Sequence, residues 1–150
     1  MIRELVLTRL YAVPRILVFR AFTDPAQVAR WWGPQGFTTV MRKWEAKPGG
    51  AIDIDMIAPG GNGHPMGGTI HEVSPPDRFI FTSTAFREED GTPGIENYNI
   101  VTFEDVAGQT RVTLRCQVMR ASDAARPAIE GMDAGWNQSL DRLGDLVSQK

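Results

Sequence analysis

The apolar positions along this chain keep a period of two, then of about 3.6, then of two again, and close in a helical stretch. The opening run from Arg3 to Tyr11 alternates as a strand, with Leu5, Leu7 and Arg9 on one face. Pro14 suits the first position of a helix whose spacing comes from Leu17, Val18, Ala21 and Phe22. Thr23-Asp24-Pro25 ends that helix and starts another, with Asp24 as N-cap and Pro25 as its first residue. The second helix carries Val28, Trp31 and Trp32, and Gly33-Pro34 stops it.

Period two then returns. A strand is expected from Phe37 to Glu45, closed by the turn Lys47-Pro48-Gly49-Gly50. Ile52, Ile54 and Met56 alternate with Asp53 and Asp55, which predicts a half-buried strand with a solvated carboxylate face. The loop from Ala58 to Gly63 leads to a strand over Met66–Val73, and Ser74-Pro75-Pro76-Asp77 turns the chain back. Phe79 to Phe86 follows, then an acidic loop tip at Glu88-Glu89-Asp90-Gly91, a strand over Tyr98–Phe103, and a turn at Asp105–Gly108. The clearest strand sets Val112, Leu114, Cys116 and Val118 against Arg111, Thr113, Arg115 and Gln117.

Ser122 is placed to cap the terminal helical region, and Pro127 either opens its main helix or breaks its first turns. Ile129, Met132, Trp136, Leu140, Leu143 and Val147 recur every three or four residues and form one apolar stripe. Gly131, Gly135 and Ser139 line one flank of it. Glycine within a helix costs roughly 1 kcal/mol relative to alanine, so the pair calls for a reason. A row of small residues lets a sheet, a helix or a bound molecule approach the backbone. The element order predicts an α+β fold: a curved antiparallel sheet of about six to seven strands wrapped around a long C-terminal helix, with two short helices after the first strand.

Composition removes several function classes. With 150 residues and no linker or repeat, residues 1–150 read as a single domain able to bury a core. Lys and Arg total 16 against 18 Asp and Glu, and the basic residues are scattered, so nucleic-acid binding is not expected. No segment is apolar for long enough to span a membrane and the N-terminus lacks a signal h-region, which favours a cytoplasmic location. Cys116, the lone cysteine, excludes an internal disulfide and reads as a small buried hydrophobe. His64 and His71 lie seven residues apart on one strand, facing opposite ways unless a bulge at Gly67-Gly68 changes the parity. Without a neighbouring Cys or His they do not form a metal site. Neither a Gly-x-Ser-x-Gly elbow nor a strand–loop–Lys phosphate loop is present, and no cofactor is expected.

An ordered set of short motifs spans nearly the whole chain. It comprises Pro14 with Val18 and Ala21, Thr23-Asp24-Pro25, Trp31-Trp32-Gly33-Pro34 and Pro48-Gly49-Gly50. It continues through Gly67-Gly68 with Glu72-Val73, Pro76-Asp77-Arg78-Phe79 and Thr110-Arg111-Val112-Thr113-Leu114. Gly131-Met132, Gly135-Trp136 and Leu140-Asp141-Arg142-Leu143 complete it. Taken together these resemble the helix-grip superfamily of START-like domains, polyketide cyclases and Bet v 1-type proteins. Within it they resemble the family related to the activator of Hsp90 ATPase. The resemblance implies a sheet gripping the terminal helix over a cavity, and a fold that hosts many functions.

The leading expectation is a site for a hydrophobic or amphipathic small molecule between the sheet and the terminal helix. Its candidate residues are Trp32, Met56, Met66, Ile70, Glu72, Phe81, Tyr98, Met132, Gly135, Trp136, Ser139 and Leu140, aromatic and thioether groups suited to an apolar pocket. Glu72 shares parity with Met66 and Ile70 and would face inward with them, whereas Val73 argues for the other parity and for His71 inside. Tyr98, between Asn97 and Asn99, has the same ambiguity, and Arg142 is placed to meet a carboxylate of Glu72 or of a ligand. A first rival is an enzyme of the same fold, a cyclase, dehydratase or hydrolase, with Glu72, His71 or Tyr98 as acid or base. A second is a protein-interaction module acting on an Hsp90-type chaperone, ranked third because the extra N-terminal domain of the eukaryotic co-chaperone is not expected in this chain. A homodimer through a sheet face or edge is left open.

Overall fold

The structure, a computed structural model, describes residues 2–86 and 90–148, so the expected acidic tip at Glu88 and Glu89 lies outside the described residues. The chain runs β1 (Arg3–Tyr11), α1 (Arg15–Thr23), α2 (Pro25–Trp31), β2 (Thr38–Trp44), β3 (Ala51–Ile57) and β4 (Gly63–Ser74). It continues with β5 (Arg78–Ala85), β6 (Ile95–Val106), β7 (Gln109–Ala121), α3 (Arg126–Glu130) and α4 (Met132–Val147). All strands join one curved antiparallel sheet of seven strands in the order β1-β7-β6-β5-β4-β3-β2, the expected α+β arrangement. Among the described residues, the one pairing beyond the successive hairpins sets β1 beside β7, from Arg3 opposite Val118 to Tyr11 opposite Thr110.

Local chemistry sets the helices. The Asp24 carboxylate accepts the Ala26 N–H at 3.0 Å and Pro25 fills the first position of α2, satisfying one otherwise unpaired amide. In α1 the buried face is Val18, Phe19, Ala21 and Phe22; Leu17, expected on it, is exposed because Phe19 points to the sheet instead. Phe19, Phe22, Trp31, Trp44, Phe79, Phe81 and Phe103 form an aromatic cluster that fills the sheet under α1 and α2. Its closest pair, Phe22 with Trp31, meets edge to face at 4.8 Å. Trp31 and Trp44 are buried with their indole N–H groups donating to the Ala21 and Phe22 carbonyls.

The terminal helical region is broken. Gly131 ends α3 and begins α4, so Pro127 belongs to a short preliminary helix and not to the main one. Ser122 does not cap with its side chain, and its hydroxyl is buried without a partner. Met132, Leu140 and Leu143 bury the expected stripe of α4. Strand β1 clasps this helix: Arg3 pairs with Asp133, Arg9 with Asp141 at 2.6 Å, and the Tyr11 hydroxyl donates to the Leu140 carbonyl at 2.8 Å. The C-terminal half of α4 therefore closes on packed core, while its N-terminal half bridges a hollow.

Candidate functional site

A pocket of about 1000 Å³ lies under that N-terminal half. Its ceiling is Met132, Gly135, Trp136 and Ser139 of α4, with Ala128 and Gly131 before them. The floor is the inner face of β3 to β6, at Ile52, Met66, Gly68, Ser83, Ile95 and Asn97. Trp32, Gly33, Pro34, Phe37 and Met56 wall one side, and the exposed Phe86, His64 and Pro65 stand at the rim.

The double tryptophan divides the labour between core and cavity. Trp31 is sealed in the aromatic cluster, while Trp32, at the end of α2, faces the hollow and meets Trp136 edge to face at 5.3 Å. Trp44 at 5.4 Å and Phe81 at 5.9 Å hold the same ring from behind. Gly33 takes φ of +96°, a conformation that glycine adopts without strain, and turns the chain along the cavity edge. On the floor, a Cβ at Gly68 would stand 1.9 Å from the Thr82 carbonyl oxygen, so only glycine fits and no side chain rises there.

The glycine flank of α4 now has its reason. A Cβ on Gly135 would meet nothing closer than Pro34 Cγ at 3.9 Å, an ordinary contact. One on Gly131 would meet the Pro127 carbonyl at 3.5 Å. No backbone crowds either position, so the absent side chains leave volume in the pocket and do not serve tight helix–sheet packing.

Seven of the expected residues line this pocket: Trp32, Met56, Met66, Met132, Gly135, Trp136 and Ser139. Ile70, Phe81 and Leu140 do not; they are packed in the core beside it. Glu72 and Tyr98 are on the other side of the sheet. The β4–β5 register shifts between Ile70 and Glu72, so Met66, Ile70 and Val73 all face inward while His71 and Glu72 both face out. The bulge defeats both parity arguments: neither the inward Glu72 nor the inward His71 is found, and no acid enters the cavity from this strand. Outside, Glu72 is held by Arg78 and Ser74, and the Arg78 guanidinium keeps its carboxyl below the usual range. His71 Nε2 lies 2.6 Å from the Thr82 hydroxyl and its ring 5.7 Å from that of Tyr98.

Arg142 does not meet a carboxylate either. Its guanidinium donates to the carbonyls of Arg30, Trp32, Gly33 and Pro34, at 3.0 to 3.2 Å, spanning the end of α2 and the turn after it. A cation placed against the carbonyl end of a helix is favoured by the helix dipole. Asp53 and Lys43 border the hollow only where Gly67 leaves the sheet bare on its outer side, and Asp53 is bound there by Arg42 at 2.8 Å. Cys116, against Trp136 on the inner face, is buried, and burial pushes its thiol up to about 12.

On the inner face of the sheet the polar side chains that line the pocket are neutral, and sequence reasoning missed the main ones. Ser83 shares the parity of Phe79 and Phe81, a signal that was available. Asn97 sits opposite Ser83, and Asn99 is fully buried beside them, donating to the Ser83 hydroxyl at 3.0 Å and the Phe81 carbonyl at 3.3 Å. The side-chain carbonyl oxygens of Asn97 and Asn99 are buried with no hydrogen-bond partner.

The family model described as Activator of Hsp90 ATPase homolog 1-like protein matches residues 12–148. Among solved structures, a protein from Chromobacterium violaceum is 28% identical, with all of both chains covered and a TM-score of 0.86. One from Nitrosomonas europaea is 27% identical over 97% of this chain and 94% of its own, with a TM-score of 0.78. The AHSA1 protein from Silicibacter pomeroyi shares the fold at 24% identity and a TM-score of 0.78, covering 95% of this chain and 96% of that one. No curated protein matches the chain.

Proposed function

The chain belongs to the Activator of Hsp90 ATPase homolog 1-like family, and from that premise we propose that it binds a hydrophobic or amphipathic small molecule between the sheet and α4. The observation that carries this reading is the pocket of about 1000 Å³, walled by Trp32, Trp136 and three methionines and left open by glycine at 131 and 135. Its size is at the upper end of small-molecule sites, and its chemistry is theirs: apolar walls with a few polar groups. Burying about 200 Å² of apolar ligand surface would supply roughly 5 kcal/mol before ordering costs.

A panel of fatty acids, polyketide-like aromatics and alicyclic compounds tests the reading by melting temperature and tryptophan emission. A ligand at a hundred times its Kd stabilises by about 2.7 kcal/mol, a readily measured rise in Tm. No shift with any compound, together with a crystal structure in which side chains fill the hollow, would overturn it.

The acid–base enzyme reading loses its proposed groups, because Glu72, His71 and Tyr98 stand outside the cavity. Among the described lining residues, the charged ones border only the outer side at Gly67, and His64 sits at the rim against Phe37. The co-chaperone reading has the family description alone behind it, and an ATPase assay with an Hsp90 decides it. Among the described residues no helix is long and apolar enough to cross a membrane.

A further inference from the structure

The apolar wall of the cavity is interrupted in one place. Ser83 and Asn97 face each other across the β5–β6 ladder and both border the hollow, with Asn99 directly behind. The Asn99 amide donates to Ser83 Oγ, so the serine hydroxyl already accepts and its hydrogen is free to turn. The Asn97 and Asn99 side-chain oxygens are buried and accept from nothing. A buried acceptor without a donor is destabilising, and native proteins rarely keep two side by side without something that satisfies them. The missing partner is a hydrogen-bond donor. It must also be able to accept, to receive the Ser83 hydrogen.

The charge balance narrows the class. Among the described residues on the inner face of this pocket no cation or carboxylate stands near Ser83 and Asn97. An ionised head group there would be buried without a counter-charge, which is strongly unfavourable. A neutral hydroxyl satisfies both demands at once. The same pocket is lined by Trp32, Trp136 and Met132, two aromatic rings and a thioether against which a flat apolar body can pack.

Resting on the ligand-binding reading above, we propose that the ligand is a neutral alcohol or phenol whose hydroxyl donates to Asn97 and accepts from Ser83, in front of the buried Asn99, with its ring system against Trp32 and Trp136. A site built to hydrogen-bond a hydroxyl discriminates strongly against the analogue that lacks it, because its own polar groups are then left unpaired.

Equilibrium dialysis with 1-naphthol, 1-methylnaphthalene and 1-naphthoate tests this. The three share a ring system and differ only in the group at position one. The expected order places 1-naphthol tighter than 1-methylnaphthalene by about tenfold or more, and 1-naphthoate weaker than 1-naphthol. Ser83→Ala should cut the preference for naphthol to roughly threefold or less while methylnaphthalene still binds; Asn97→Leu should do the same wherever it folds. Equal affinity of the native protein for naphthol and methylnaphthalene overturns the hydroxyl proposal and leaves the cavity reading standing. Binding of none of the three overturns the hydroxyl proposal, and the cavity reading falls with it only if the wider panel also gives no shift; tightest binding of naphthoate overturns the neutrality argument.

Discussion

The Trp32 and Trp136 rings meet edge to face at 5.3 Å, and through this contact the end of α2 and the first half of α4 wall the same hollow. Trp32 is braced from behind by Trp44 and Phe81, whereas Trp136 follows a glycine and stands at the edge of the filled core. Substitutions around this contact separate what it does for stability from what it does for binding.

Gly135→Ala should stabilise the protein and weaken ligand binding together. Alanine gains up to about 1 kcal/mol in helix propensity. Its methyl group, in ordinary contact with Pro34, occupies pocket volume. Thermal unfolding should show a Tm higher by up to roughly 2–4 °C. A Tm that drops instead would mean that Gly135 serves close packing and not an open wall.

Arg142→Met should cost about 2–3 kcal/mol in urea denaturation, since four carbonyls lose a shared charged donor. Arg142→Lys should recover little of it, because a single ammonium cannot span Arg30 to Pro34 as the planar fork does. Full recovery by lysine would show that charge alone matters at the end of α2.

Glu72→Gln and Tyr98→Phe should leave ligand affinity within about twofold, whereas Trp136→Leu, which strips an aromatic wall, should weaken it by about tenfold. Glu72 and Tyr98 lie across the sheet from the cavity, on the outer face with His71. A large loss on altering either, measured by the same dialysis, would restore the acid–base reading.

Stability should be level from neutral pH to about 9 and fall above it. Burial raises the Cys116 thiol from an ordinary value of 9.0 to about 12. Between those values the unfolded chain releases a proton that the folded one keeps, so folding is disfavoured as pH rises. Tyr11, buried against α4, is raised from 10.0 and adds to the fall from about one pH unit higher. Denaturant midpoints measured across pH 7–11 should show the first part of the decline removed in Cys116→Ala. A decline of unchanged shape in that variant would exclude the thiol as its source.

Much of the fold was legible because period and punctuation act locally. Asp24-Pro25 gives a cap, and Ile52, Ile54 and Met56 give an inner face, whatever the rest of the chain does. The cavity was legible in part for the same reason: Trp32, Met132, Gly135 and Trp136 stand out by type and spacing. What failed depended on register between strands. The extra residue at His71 is invisible in β4 alone and exists only in its pairing with β5, yet it decides where Glu72 points. Ile70, Phe81 and Leu140 face the correct way but sit behind other side chains, a matter of depth that periodicity does not encode. Charge alone suggests a carboxylate partner for Arg142; four backbone carbonyls, which carry no signature in sequence, hold it instead.

The Gly33–Gln35 turn forms one jaw of the cavity mouth, and it is riveted to α4. Arg142 grips the Gly33 and Pro34 carbonyls, and the Gln35 N–H donates to the Gln138 side chain at 2.9 Å. That jaw and the ceiling therefore travel as one piece, so a bulky guest gains no clearance by lifting one away from the other. Tolerance for size has to come from the opposing jaw, where His64, Pro65 and Phe86 are exposed at the ends of their strands. Shortening those three side chains should widen the range of acceptable guests, and loosening Arg142 should instead spoil the fit for all of them.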